Sequence, residues 1–156
     1  GCDKKKIVEI TVNRTNAQRQ AIKEAYKASY GRDLMKDLWS VEEFVSMLSD
    51  ESFFGFRENY GFILCRRALD SIDIVTFCVD PKYRGQGIGK KLLAEIVKFA
   101  RENNCEIFLE VAEKNVVARN MYDFFGFKEI SVRKNYYKFK GGTQHAVVMK
   151  YNSQLK

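Results

Sequence analysis

The sequence predicts a mixed α/β domain: a central, mostly antiparallel sheet of about seven strands with about four helices on its faces. Three observations predict it. Apolar periodicity switches between that of strands and that of helices in the order β, α, α, β, β, β, α, β, α, β, β. Two strand–helix–strand crossovers lie between residues 72 and 133. A hairpin pattern occupies residues 53–68.

Each element has its own signal. IVEITV (7–12) is β-branched and alternating, so it reads as the first strand. NAQRQAIKEAYKAS (16–29) carries a helical apolar stripe of Ala21, Ile22, Ala25 and Tyr26. Ser40-Val41-Glu42-Glu43 is a capping box that opens a short helix over 41–49. FFGFRE (53–58) and FILCRRA (62–68) flank a turn at Asn59-Tyr60-Gly61. IDIVTFCV (72–79) is a strand that stops at Asp80-Pro81. A helix is expected over roughly 87–102, with Leu92, Leu93, Ile96, Val97 and Ala100 on its apolar face and Lys91, Glu95, Lys98 and Arg101 on the other. CEIFLEVA (105–112) is the next strand. On it Glu106, Phe108, Glu110 and Ala112 share one face, and Ile107, Leu109 and Val111 the other. Residues 115–125 form a helix stopped by Gly126, with Val117, Met121 and Phe124 as its expected core face. Strands at 127–133 and 145–151 close the pattern, joined by a loop with Gly141-Gly142.

Composition narrows the class. A chain of 156 residues, 46% hydrophobic and 13% aromatic, has the commonest size of a single domain and builds a core without metals or crosslinks. Residues 1–156 are therefore read as one domain. Gly1 in place of methionine marks residues 1–5 as a candidate processing or cloning remnant. Gly1-Cys2 before Asp3-Lys4-Lys5-Lys6 resembles the end of a lipoprotein signal, but the rest of the chain reads as cytosolic. Cys65, Cys78 and Cys105 sit in apolar runs and no C-x-x-C is present, so the cysteines read as reduced, buried hydrophobes of a cytoplasmic protein. No apolar run reaches the roughly 18 residues of a membrane span. The net charge of +7 is compatible with nucleic acid, a ribosome or an anionic ligand. The lysines are scattered, however, and no aromatic-interleaved RNA-binding pattern is present.

The glycines of YRGQGIGKK (83–91) are the sharpest local signal. Glycine is a poor helix former, yet Gly85, Gly87 and Gly89 stand where a helix begins. Glycines let a ligand come close to the backbone, and a helix start offers free N–H donors and a positive dipole end. Arg84, Lys90 and Lys91 add cations, so a phosphate or pyrophosphate is the implied ligand. The loop is neither a Walker A loop nor a dinucleotide-binding fingerprint, because the glycine spacing fails both. A solvated turn with tolerated glycines is the plainer alternative.

A second signal follows in LEVAEKNVVARNMYDFFGF (109–127). Asn115 and Tyr122 are seven residues apart and share a helix face. They are ligand-facing candidates, or else a simple N-cap and a rim aromatic.

VDPKYRGQGIGKKLL, followed by N-x-x-A-x-x-x-Y-x-x-x-G-F, resembles the GNAT superfamily of acetyl-coenzyme A-dependent N-acetyltransferases. Over roughly residues 39–150 the chain is most similar to the bacterial ribosomal-protein N-terminal-alanine acetyltransferase subfamily, through WSVEEF (39–44), LEVAEKN (109–115), MYDFFGF (121–127) and VRKNYY (132–137). Ala112 and Lys114 stand where the subfamily's E-V-R-x-S-N block has arginine and serine. The resemblance implies the GNAT fold and acetyl-CoA as cosubstrate, with no metal. It implies that Arg84 and the backbone of Gly85, Gln86, Gly87, Ile88, Gly89 and Lys90 hold the pyrophosphate. It implies that Phe77, Cys78 and Val79 pair with the pantetheine arm, which Asn115 bonds from its other side. Tyr122 then looks like the general acid for the departing thiolate and Glu110 like the general base, with Asp73 an alternative base. A solvated strand glutamate is the plain alternative for Glu110. His145, the single histidine, reads as an incidental strand residue.

The substrate implied is a primary amine, first of all the N-terminal α-amine of a ribosomal protein. An α-amine has a pKa of about 8, against about 10.4 for lysine, and asks less of a weak carboxylate base. Trp39, Tyr136 and Tyr137, in loop-like segments, are candidates to line a cleft for a peptide end. A small-molecule amine or a lysine side chain is the alternative substrate, and a basic RNA- or ribosome-binding domain the third reading.

Overall fold

The computed structural model describes residues 50–139 and 142–153. The strand expected at 7–12, the helices at 16–29 and 41–49, and Trp39 lie outside the described residues. Six strands and two α-helices are described: β1 (Phe53–Glu58), β2 (Gly61–Ala68), β3 (Ser71–Val79), α1 (Ile88–Glu102), β4 (Glu106–Ala112), α2 (Val116–Phe124), β5 (Lys128–Phe139) and β6 (Gly142–Tyr151). The hydrogen-bonded strand order is β1-β2-β3-β4-β6-β5, with β3–β4 parallel and β1–β2, β4–β6 and β5–β6 antiparallel. This is the mixed α/β architecture that the periodicity predicts. Among the described residues no helix is long and apolar enough to cross a membrane.

The described chain divides into two compact units, one of residues 50–67 and 75–96, the other of residues 68–74 and 97–153. In the first, β1 and β2 pair from Phe53↔Arg66 to Glu58↔Gly61, leaving a two-residue turn. Phe54, Phe56 and the run Phe62–Cys65 are buried. Their unbroken burial, rather than alternation, marks a hairpin covered on both faces. Leu92, Leu93 and Ile96 of α1 are fully buried here, as their spacing requires.

In the second unit the first residues of β3 pair with β4 from Ser71↔Glu106 to Ile74↔Leu109. Strand β4 alternates as its sequence does, with Ile107, Leu109 and Val111 buried. Strand β6 lies between β4 and β5 and buries Ala146, Val147, Met149 and Tyr151. An aromatic chain runs through this core. The Tyr122 and Phe127 ring centroids are 5.7 Å apart, and those of Phe127 and Tyr151 are 5.4 Å apart. The Tyr151 hydroxyl accepts from Arg101 Nε at 2.6 Å.

Three expectations are corrected. The core face of α2 is not Val117, Met121 and Phe124: Val117 is 83% and Phe124 74% exposed, whereas Tyr122 is 6% exposed. The helix has only nine residues and its apolar arc is wide, from Phe124 and Val117 through Met121 to Tyr122, so the aromatics it meets decide which part of that arc is buried. The last two strands run to Phe139 and from Gly142, well beyond the expected 133 and 145. Tyr136 and Tyr137 are therefore strand residues and not loop residues. Gly126 does end α2, with φ of +91° in the left-handed region.

Candidate active site

In the first unit, β3 ends at Val79, and the carboxylate of Asp80 accepts the N–H of Lys82 at 2.9 Å and caps a 3₁₀ turn over Pro81–Tyr83. The Asp80 N–H donates to the carbonyl of Tyr60 at the hairpin tip, at 2.8 Å. The Tyr60 and Tyr83 rings stack with centroids 3.6 Å apart and planes 6° from parallel. The hairpin tip thus braces the turn twice, once by backbone and once by ring. Arg84 follows in an extended conformation, and its Nε donates to the Val79 carbonyl at 3.1 Å.

Gly85 and Gly87 then adopt φ of +77° and +82°. A side chain there would be strained, since L-residues rarely take this conformation. A Cβ built at either glycine meets nothing within 4 Å. The glycines are therefore required by the backbone path and not by crowding, and the space beside them is open. The Gly87 carbonyl accepts from Lys91 N–H at 3.0 Å, closing the first turn of α1. A helix start turns the N–H groups ahead of that first bond outward. Left-handed glycines next to it make a concavity of N–H groups suited to an anion. The first turn of α1 carries no acidic residue, and Lys90 and Lys91 are exposed on it. Arg84, Gly85 and Gln86 are exposed, while Phe77, Val79, Ile88 and Gly89 are half-buried and Cys78 is buried. This segment suits a diphosphate held by backbone donors.

In the second unit, Glu110 lies on β4 with its side chain 27% exposed. Arg133 on β5 ion-pairs with its carboxylate. The Arg133 guanidinium stands over the Tyr136 ring, 4.8 Å from its centroid. The Glu110 carboxylate, as a hydrogen-bond acceptor, and then burial raise the Tyr136 phenol above the usual tyrosine range. The Tyr137 hydroxyl donates to the Glu110 carbonyl at 3.3 Å. Burial, then the negative charge of Glu110, push Tyr137 up to about 12. The structure thus gathers Glu110, Tyr136 and Tyr137 and adds Arg133, which the sequence reading missed. Its signal was its place in VRKNYY, three residues before Tyr136.

The other candidates sit apart from that group. Asp73 is exposed on β3 and pairs in register with Phe108, two residues before Glu110. Asn115 is the N-cap of α2, its Oδ1 accepting the Ala118 N–H at 3.2 Å. Asn115 is exposed and Tyr122 is buried, so the shared ligand-facing side expected of them is not what the helix presents. His145 is not incidental: its Nδ1 accepts the Asn135 N–H at 3.0 Å. Cys65, Cys78 and Cys105 are buried thiols.

Comparison with known proteins follows the same lines. The family model of the acetyltransferase (GNAT) family matches residues 16–127. The [ribosomal protein bS18]-alanine N-acetyltransferase of Haemophilus influenzae is 41% identical over 91 residues, 57% of this chain and 62% of that protein. Its counterpart in Haemophilus ducreyi is 36% identical over 91 residues, 57% of this chain and 63% of that protein. The matches thus span a little under two thirds of these relatives' length. The crystal structure of the ribosomal-protein-S18-alanine N-acetyltransferase from Escherichia coli superposes with a TM-score of 0.77 at 24% identity, covering 93% of this chain and 94% of that one.

Proposed function

The chain belongs to the GNAT acetyltransferase family, and on that premise we propose that it transfers the acetyl group of acetyl-CoA to the N-terminal α-amine of a protein, a ribosomal protein first of all. The observation that carries the reading is the open, glycine-turned backbone at Gly85 and Gly87 where α1 begins. It fits the pyrophosphate of acetyl-CoA, with Arg84 and Lys90 as flanking cations and the backbone of Phe77, Cys78 and Val79 as partner of the pantetheine arm. Asn115 caps α2 through Oδ1, which leaves its amide N–H donors for that arm from the other side.

In the reaction the amine nitrogen bonds to the acetyl carbon and the carbon–sulfur bond breaks. The amine loses a proton and the departing thiolate gains one. Glu110 is the residue we assign to take the first proton, directly or through a water, with Asp73 as the competing base. Tyr122 is assigned to give the second. Tyr136 and Tyr137 offer aromatic surface and hydroxyls beside Glu110 for the first residues of a peptide. Two relatives are named for the alanine of ribosomal protein bS18, which supports a peptide end as acceptor. Three buried thiols fit a reducing cytoplasm.

The test pairs acetyl-CoA with peptides bearing an N-terminal alanine, with polyamines and with aminoglycosides. Thiol release gives the rate and mass spectrometry locates the acetyl group. Acetylation of the peptide α-amine supports the reading. Acetylation confined to small amines or to lysine Nζ transfers the assignment to the alternative substrate class. Steeply salt-dependent RNA binding without stabilisation by acetyl-CoA overturns the enzyme reading.

A further inference from the structure

We infer that His145 is a positioning residue for the acceptor side of the site, because it holds the β5 bulge that brings Tyr136 and Tyr137 to Glu110. The inference rests on the proposed peptide acceptor for its kinetic consequence and on geometry alone for its structural one.

Strands β5 and β6 pair at Arg133↔Ala146 and again at Tyr137↔Gln144. Residues 134–136 of β5 thus stand opposite His145 alone, two more than a regular ladder allows. Such an insertion leaves the bulged strand without its ladder partners over these three exposed residues. The imidazole makes up part of the loss: His145 Nδ1 accepts the Asn135 N–H at 3.0 Å. With Nδ1 accepting, the neutral ring carries its proton on Nε2. Asn135 itself sits at φ of +54°, a conformation that asparagine tolerates better than most residues. Its Oδ1 accepts from Thr143 Oγ1 at 2.9 Å, a second tie to β6. The His145 carbonyl accepts the Glu113 N–H at 3.0 Å, in the turn that follows Glu110 on β4.

The bulge changes what two neighbouring side chains can reach. On a regular strand Tyr136 and Tyr137 would point to opposite faces. Here their ring centroids are 5.1 Å apart, the Arg133 guanidinium that pairs with Glu110 stands over the Tyr136 ring, and the Tyr137 hydroxyl donates to the Glu110 carbonyl. Loss of the imidazole acceptor loosens Asn135 and with it the convergence of both tyrosines on Glu110.

The test compares His145→Ala with His145→Asn, whose Oδ1 falls close to the position of Nδ1 and restores an acceptor. Amide hydrogen exchange at Asn135 reads the clasp directly. Steady-state kinetics with an alanine-terminated peptide and acetyl-CoA read its consequence. We expect Asn135 protection to be lost in His145→Ala and kept in His145→Asn. We expect the peptide KM to rise about 3- to 10-fold in the alanine variant, the worth of one hydrogen bond, with the acetyl-CoA KM unchanged. The asparagine variant should stay within about twofold of the parent. Undiminished Asn135 protection in His145→Ala, or equal peptide KM in that variant and the parent, overturns the inference, as does an equal rise in both variants. If the parent leaves peptide α-amines untouched, the acceptor assignment fails separately, and Asn135 exchange alone then decides for or against the clasp.

Discussion

Arg133 on β5 reaches across β6 to ion-pair with Glu110 on β4. The two side chains are 56% and 27% exposed, so the pair contributes no more than about 1 kcal/mol to stability. Glu110→Gln should therefore fold, and its effect should be read in the rate. The expected outcome is a fall in turnover of about 10²–10⁴, the worth of a positioned base. A base works only when deprotonated, so activity in the parent should rise with pH along an acidic limb that Glu110→Gln lacks. A variant that keeps both the limb and the rate moves the base to Asp73 or to a water chain.

Tyr122→Phe removes one oxygen and keeps the ring that packs 5.7 Å from Phe127. Because Tyr122 is 6% exposed, retaining the ring matters for the core. Folding and acetyl-CoA binding should persist while turnover at saturating acetyl-CoA drops by about 10²–10⁴. Parental turnover would mean that solvent protonates the thiolate.

Gly87→Val forces a β-branched residue to φ of +82° and sets a side chain in the open space beside the loop. Calorimetry should show acetyl-CoA affinity weakened by about tenfold or more. Retained affinity in a folded variant would falsify the assignment of this loop to the pyrophosphate.

Tyr137, pushed up to about 12 by burial and by Glu110, keeps its proton in the folded chain after the unfolded chain has lost it near its ordinary value of about 10. The folded state then binds the extra proton, so its stabilising effect is complete below about pH 10 and disappears toward pH 12. Urea midpoints should fall across that window more steeply in the parent than in Tyr137→Phe. Parallel slopes in the two proteins would remove Tyr137 as a contributor.

Much of this was legible because it is local. The turn at Asn59-Tyr60, the stop at Asp80-Pro81, the apolar face of α1 and the alternation of β4 each depend on residues within a few positions of one another. The glycine loop was legible for the same reason, since a left-handed backbone at a helix start is a requirement of the segment itself.

The sequence by itself determined the element order over the described residues and the glycine-turned start of α1. Tertiary structure alone decided which face α2 buries, that Asn115 serves as a cap, and that Arg133, Tyr136 and Tyr137 converge on Glu110. A nine-residue helix with a wide apolar arc leaves open which part of that arc is buried until Phe127 and its neighbours are in place. The bulge at residues 134–136 exists only in the pairing of β5 with β6, and no periodicity within either strand encodes how many residues its partner will oppose to it.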